Sequence, residues 1–234
     1  DEELLTEVVG LAEWPVVLLG NIANKFQQLP PEVLATSMRS HQKYFSLANQ
    51  EGAITHFALV ANIAPSDDGH EVRRGNERVL SARLADADYF YQSDLSTRLE
   101  EFTSKLGSVT FHAKLGNLAD RVARVMAIAD ALASEVGAGH LEVRRAAELA
   151  KADLVTGMVG EFPELQGIMG AYYAKAQGED DAVIDALRMQ YKPTGPDDIV
   201  PTKAVAIALG LADRLDMLAK IAGKDPEYFL GLAS

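Results

Sequence analysis

The sequence predicts an α+β protein, with a mixed α/β part over residues 1–104 and an all-helical part over residues 105–234. Short apolar runs typical of strands, separated by turn residues, lie in the first part. From Phe111 onward, apolar residues recur at the three-to-four-residue spacing of amphipathic helices. The length of 234 residues is enough for two modest domains.

In the first part, an apolar run over residues 15–19 predicts a strand, and Pro30-Pro31-Glu32 opens a helix that extends to about Gln42. Residues 43–47 and 54–61 are two predicted strands, and the Ala-Asn-Gln-Glu-Gly segment between them is typical of a hairpin loop. Apolar positions between Glu71 and Tyr91 fit helical spacing better than strand spacing.

The second part contains five predicted helices. The first starts around Leu115 and ends near the glycines at 137–139. The proline-rich segment 192–201 is a loop by composition. The other four helices cover residues 142–158, 168–176, 180–190 and 202–221.

Composition excludes several functions. The chain carries no cysteine, so it has no disulfide framework, thiolate metal site or cysteine nucleophile. With 34 acidic and 22 basic residues, its formal charge of −12 argues against general nucleic-acid binding, so any anionic partner would have to be met by a local basic surface. No apolar stretch is long enough for a membrane span, and we expect a soluble intracellular protein.

A basic cluster stands out in the first part, where Arg73, Arg74, Arg78 and Arg83 fall within eleven residues. Arginines on one helix can present forked donors to the phosphates of a nucleic acid. They can equally form ion pairs with neighbouring acidic residues. Those neighbours are Glu71, Glu77, Asp86 and Asp88.

Catalytic motifs are not evident. The five histidines are scattered without metal-ligand spacing, and no glycine-rich phosphate loop or nucleophile elbow is present. Asp213 and Asp216 share one helix face, as paired metal-binding carboxylates would, but this spacing is also common on solvated helices. The residues alone therefore indicate a two-part protein without an evident active site.

Longer strings are more specific. They are EWPVVLLG (13–20), SMRSHQKYF (37–45), GNERVL (75–80), RLADADYF (83–90), KADLVTGMVGEFPELQGIMG (151–170) and ADRLD (212–216). In this order, and as far as about Ile221, they closely resemble the β subunit of the bacterial two-subunit glycyl-tRNA synthetase. Beyond Ile221 the chain departs from the family pattern. The family usually has a glycine- and proline-rich loop before a Lys-Asp-Pro string, whereas here Gly223 runs directly into Lys224-Asp225-Pro226.

The resemblance implies a division of labour. In that family, the α subunit carries the class II active site for glycine, ATP and Mg²⁺, and the β subunit supplies tRNA recognition within a cytoplasmic α₂β₂ enzyme. We therefore expect an internal piece of a longer β chain that is inactive alone and needs no cofactor of its own. Its partners would be the α subunit, glycine tRNA and the remainder of the β chain, with no membrane.

The resemblance implies a different domain type for each of the two parts. The first would be the end of a module similar to the B3/B4 region of phenylalanyl-tRNA synthetase, and the second would be an HD-type helical domain. The positions that align with HD metal ligands are Leu118, Ala152, Asp153, Phe162 and Asp213. Only the two aspartates match, so we expect a degenerate site that binds no metal.

Basic residues of the helical part are further candidates for contact with the tRNA acceptor arm. The leading hypothesis is a non-catalytic portion for tRNA recognition and scaffolding. The alternatives are an assembly module that makes no tRNA contact and a residual HD-type phosphohydrolase. The candidates are Lys114, Arg121, Arg124, Arg144, Arg145 and Lys151.

Overall fold

A computed structural model describes residues 1–112 and 116–221, with side chains as far as Ala219. The chain divides into two compact units between Ser93 and Asp94. The first contains a small antiparallel sheet with helices, and the second is mostly helical, which confirms the α+β class. None of the helices in the described ranges is both long and apolar enough to cross a membrane.

The first unit is built around a three-stranded sheet. The strands β1, β2 and β3 are arranged in the order β1-β3-β2, with both pairings antiparallel. Gly20 permits close packing in this sheet, because a Cβ atom there would lie 2.3 Å from the Phe57 ring. The elements of this unit are α1 (Glu2–Leu11), β1 (Val16–Asn21), α2 (Pro31–Gln42), β2 (Phe45–Ala48), β3 (Ile54–Ala61) and α3 (His70–Leu95), whose last turn extends into the second unit.

One face of this sheet packs on a hydrophobic core. Phe57 of β3, Met38 of α2 and Leu80 of α3 are fully buried there. Helix α2 starts with Pro31, whose missing N–H costs nothing in a first turn, and ends at Lys43 in the left-handed conformation. These apolar side chains bring α2, α3 and the sheet together in one core.

The second unit begins with α4 (Leu99–Lys105) and a two-stranded hairpin, β4 (Thr110–His112) and β5 (Gly116–Asn117). Helix α10 packs against α5, α6 and α9, and α8 packs against α9. The remaining helices are α5 (Leu118–Ala133), α6 (His140–Leu149), α7 (Gly157–Glu161), α8 (Ile168–Ala176), α9 (Asp181–Met189) and α10 (Ala204–Ile221).

The predicted elements can be compared directly with these. The helices over 31–42 and 168–176 and the strand over 54–61 are confirmed residue for residue. The single helix predicted over 142–158 is wrong, because α6 ends at Leu149, a 3₁₀ turn follows, and α7 begins at Gly157. Helices α1 and α4 were not predicted. The β4–β5 hairpin was not predicted either, so the second part is not wholly helical.

The boundary between the units lies eleven residues before the predicted one at 104/105. Helix α4, which the prediction assigned to the first part, packs on α6, on α8 and on the 3₁₀ turn over Ala152–Val155. These contacts place α4 in the helical unit. The departure from the family pattern at Gly223 lies outside the described residues.

Candidate nucleic-acid interface and buried ionic cluster

The four clustered arginines, Arg73, Arg74, Arg78 and Arg83, all lie on α3. Arg74, Arg78 and Arg83 are exposed, and Arg73 is half-buried. Arg74 makes a long ion pair of 3.5 Å with Glu71. Within residues 1–112 and 116–221, the other three have no ion-pair partner.

The acidic neighbours of these arginines have other contacts. Glu77 accepts hydrogen bonds from the backbone N–H of Asn21 at 2.8 Å and from its side-chain amide at 3.2 Å. Asp88 accepts one from Gln92 at 3.3 Å. The alternative in which the acidic residues neutralise the whole arginine cluster therefore holds only for Arg74.

The arginines do not form one continuous row. An α-helix turns about 100° per residue, which puts Arg74 and Arg78 about 40° apart on one side of α3. Arg83 lies about 140° from Arg78 around the helix axis. The surface that a phosphate backbone could follow therefore centres on Arg74 and Arg78.

The basic candidates on α5 belong to a buried ionic cluster, defined here as Arg121, Arg124, Lys151, Asp213 and Asp216. Arg121 donates to Asp213 at 3.0 Å, and Arg124 donates to both carboxylate oxygens of Asp216, at 2.6 and 3.2 Å. Asp216 is completely buried. The two arginines and the two aspartates thus join α5 to α10.

Lys151 lies at the centre of this cluster and is only 2% exposed. Its Nζ atom donates to Gln190 at 2.9 Å, lies 3.2 Å from Asp213, and is 4.2 Å from the centre of the Tyr191 ring. Burial lowers the pKa of Lys151, and the charge of Asp213 opposes that shift.

These contacts argue against the sequence-based assignment of Arg121, Arg124 and Lys151 to tRNA. Lys151 and Arg121 are buried, and Arg124 directs its guanidinium into the protein. A phosphate could reach them only by breaking ion pairs in the interior, which would leave Asp213 and Asp216 buried without partners.

The two arginines of α6 differ. Arg145 is surrounded by Glu100, Glu148 and Glu179, whose hydrogen bonds raise its pKa. Arg144 pairs with Asp130 at 2.6 Å, and its side chain remains 60% exposed. Of the helical-unit candidates in the described residues, only Arg144 therefore stays accessible. Lys114 lies outside the described residues.

The positions aligned with HD metal ligands do not form a metal site. Leu118, Ala152 and Phe162 are buried and apolar. Asp213 is engaged by Arg121 and Lys151, so cationic groups already occupy the space beside its carboxylate. Across the described ranges, no three His, Asp or Glu side chains converge as ligands would.

Asp153 has a structural contact instead. Its Oδ2 atom accepts hydrogen bonds from the backbone N–H groups of Gly167 at 2.5 Å and Gly170 at 3.1 Å, at the start of α8. No described group donates to its Oδ1 atom. Burial raises the pKa of Asp153 to about 6, although the two N–H groups act in the opposite direction. Asp153 therefore caps α8 from the 3₁₀ turn that follows α6.

Sequence reasoning missed two features. Arg121 and Arg124 are three residues apart on α5, and Asp213 and Asp216 have the same spacing on α10, so the matching spacing could have predicted the ion pairs. Asp94 accepts hydrogen bonds from the backbone N–H groups of Gly157 and Met158 and from the Tyr173 hydroxyl, all at 2.9 Å. Nothing in the local pattern around Asp94 indicated this contact.

The helical unit also has an apolar cavity of about 270 Å³ beside α10. Val200, Pro201, Ile207 and Leu211 line it, and Arg214 lies at its wall. The guanidinium of Arg214 donates to backbone carbonyls, among them Gly210 at 2.9 Å and Lys192 at 2.8 Å. An exposed apolar surface of this kind suits contact with another protein segment.

Comparison with known proteins agrees with the resemblance carried by the long strings. A family model described as the glycyl-tRNA synthetase beta subunit matches residues 1–227. The chain is 52% identical over 229 residues to the glycine–tRNA ligase beta subunit of Phenylobacterium zucineum, covering 95% of this chain and 34% of that protein.

Two further relatives with the same name give the same picture. The Cereibacter sphaeroides protein is 52% identical over 94% of this chain and 32% of its own length, and the Paracoccus denitrificans protein is 51% identical over 93% and 32%. The chain thus spans about a third of the length of the curated relatives it matches. The extent of the family match, together with these identities, shows that the chain belongs to the glycyl-tRNA synthetase beta subunit family.

Proposed function

We propose that this chain is a non-catalytic portion of a glycine–tRNA ligase β subunit that binds tRNA and scaffolds the enzyme. The observation that carries the proposal is the contrast between the exposed arginines of α3 and the internally paired cations of the helical unit. Phosphate contact then belongs to Arg74 and Arg78, with Arg73 adjoining Arg74 in sequence and Arg83 on another side of α3. The ionic cluster holds the helical scaffold together.

In this proposal, the chemical step of the whole enzyme takes place outside this chain. ATP-dependent glycylation, with Mg²⁺, belongs to a class II active site on the α subunit, and no cofactor is assigned to these residues. The partners are glycine tRNA, the α subunit and the remainder of the β chain, in a cytoplasmic α₂β₂ assembly. The names of the relatives support this proposal, and so does the engagement of Asp153 and Asp213 in structural contacts.

The test is a fluorescence-anisotropy titration of the chain with glycine tRNA at two salt concentrations. Replacing Arg74, Arg78 and Arg83 by alanine should weaken binding at least tenfold. It should also make the logarithm of the affinity fall less steeply with the logarithm of salt, because fewer counterions are released.

A matched control separates the loss of these particular arginines from the effect of a more negative net charge. Alanine at Arg39, Arg98 and Lys203 makes the same change in formal charge, from −12 to −15, at exposed positions away from α3. This control should bind tRNA within about twofold of the unaltered chain. Equal weakening by both variants, or no weakening by either, would contradict the assignment to α3.

A second candidate function is an assembly module without tRNA contact. The exposed side chains of Ile199, Val200 and Leu211 beside the α10 cavity favour it. Under this alternative, the chain would bind no tRNA at low salt, and Leu211→Ser would weaken subunit association. A phosphohydrolase is disfavoured, since metal binding at Asp213 would have to displace Lys151 and Arg121.

A further inference from the structure

The sheet of the first unit has a second face, opposite the core, with unusual chemistry. Residues directly opposite one another in neighbouring strands share a face. Leu19 lies opposite Ala58, which lies opposite Phe45, and Val17 lies opposite Val60. The outer sheet face is defined here as Val17, Leu19, Phe45, Leu47, Ala58 and Val60.

This face is apolar but incompletely covered. The side chains of Val17 and Leu19 are 63% and 56% exposed, and Phe45, Leu47 and Val60 are half-buried. Asn21 and His56 are the polar residues that share the face. An antiparallel sheet with one face in water normally alternates polar and apolar residues, whereas β1 begins Val-Val-Leu-Leu, as do strands buried on both faces.

The edge of the sheet shows the same lack of protection. Strand β1 is an edge strand and contains no charged residue, although the backbone N–H of its last residue, Asn21, already donates to Glu77 of α3. Exposed edges are usually guarded by lysine or another charge, because free backbone groups invite a further strand. An uncharged edge beside an apolar face is therefore the profile of a surface that another element covers.

We propose that the outer sheet face is the docking surface for a second apolar layer contributed by the part of the β subunit that lies outside these 234 residues. This inference rests on the proposed function, because it places the chain within a β subunit. The chain covers only 34% of the Phenylobacterium zucineum relative, so relatives of that length have ample chain for such a layer. A layer in the same polypeptide also docks at a high effective concentration.

Other occupants fit the surface less well. None of the residues that define the outer sheet face is a lysine or arginine, which argues against nucleic acid. A second copy would bring together two chains that each carry a formal charge of −12, and this repulsion opposes self-association. We therefore assign the face to an apolar segment of the same polypeptide, and the test distinguishes this occupant from the α subunit.

The test measures how fast a thiol at this face reacts with N-ethylmaleimide. Leu19→Cys and, separately, Val17→Cys are introduced into the full-length β subunit, and alkylation of the peptide that carries each position is quantified by mass spectrometry. Gln50→Cys, in the exposed β2–β3 loop, is the matched control. Each rate is divided by the rate of the same protein in denaturant.

We expect the thiols at 19 and 17 to react at least tenfold more slowly than the thiol at 50 in the full-length β subunit without the α subunit. In the 234-residue chain this protection should disappear. Two positions are used so that one variant that misfolds, recognised by its circular dichroism, does not decide the result.

Three results would overturn the inference. Equal reactivity at all positions in the full-length subunit would mean that the face stays open. Protection that appears only after the α subunit is added would assign the face to that subunit. Protection in the 234-residue chain that grows with concentration, with a dimer mass in light scattering, would assign it to a second copy. None of these readouts depends on tRNA, so a failure of tRNA binding is recognised separately.

Discussion

At the scale of single residues, Asp153 combines a structural task with an energetic cost. One carboxylate oxygen caps α8, while the other is buried without a donor among the described residues. Burial of the charge raises the pKa of Asp153 to about 6. The native state therefore binds a proton at this carboxyl more readily than the unfolded chain does, where an aspartate has a pKa of about 3.9.

The sign of the pH dependence follows from that difference. Between about pH 4 and 6 the native state holds the extra proton, so the free energy of unfolding contributed by Asp153 falls as the pH rises, by about 3 kcal/mol in all. Asp153→Asn keeps an acceptor for the two N–H groups and removes the charge. The stability difference between this variant and the unaltered chain should therefore shift in favour of the variant from pH 4 to pH 7 in urea unfolding.

Exposed Asp197 supplies the control for this measurement, since Asp197→Asn makes the same change in charge without removing a buried carboxylate. Its stability difference, measured over the same pH range, gives the effect of the charge change at an exposed site. A difference for Asp153→Asn that shifts no more than that of Asp197→Asn would contradict the raised pKa of the buried carboxyl.

At the scale of elements, Asp94 joins three parts of the helical unit. It is 5% exposed, lies in the last turn of α3, and accepts hydrogen bonds at the start of α7 and from Tyr173 of α8. Asp94→Ala removes all three bonds and should lower the free energy of unfolding by about 3 kcal/mol.

Tyr173→Phe provides the comparison for Asp94→Ala, because it removes one of the three bonds and leaves the helix cap intact. It should cost only about 1 kcal/mol. Both variants would be measured by urea unfolding followed by circular dichroism. Equal losses in the two variants would show that the cap of α7 contributes nothing.

The same scale shows how far the sequence could predict the structure. Helix α2 and strand β3 were predicted correctly because local signals, Pro31 at a helix start and a strand-forming run, specify them. The break after α6 was missed because the apolar spacing continues through it, and the contacts of Asp153 just beyond it, with Gly167 and Gly170, are remote in sequence. The ion pair between Arg121 and Asp213 was missed as well, because the partners lie 92 residues apart and only the matching three-residue spacing on the two helices indicates it.

At the scale of the whole molecule, the carboxylates whose pKa is lowered are unevenly divided between the two units. Hydrogen bonds from Arg145 and Arg98 lower the pKa of Glu100 to about 2. The pKa of Asp130 is lowered chiefly by Arg144, and that of Asp198 by the backbone N–H of Thr194. All three carboxylates lie in the second unit, whereas the one resolved shift of this kind in the first unit, within the described residues, is at Asp67.

A carboxylate with a lowered native pKa stabilises the fold above its unfolded pKa of about 4 and loses this contribution as the pH falls further. The opposite contribution of Asp153 is largely spent near pH 4, because the unfolded aspartate is then already half protonated, and it fades as the pH falls further. Between pH 4 and 2 the second unit should therefore lose stability before the first. Pulsed hydrogen exchange with mass spectrometry, corrected for intrinsic rates, should show peptides of residues 94–221 losing protection at a higher pH than those of residues 1–93. Simultaneous loss in both units would contradict the uneven distribution, and Glu100→Gln should shift the transition of the second unit alone.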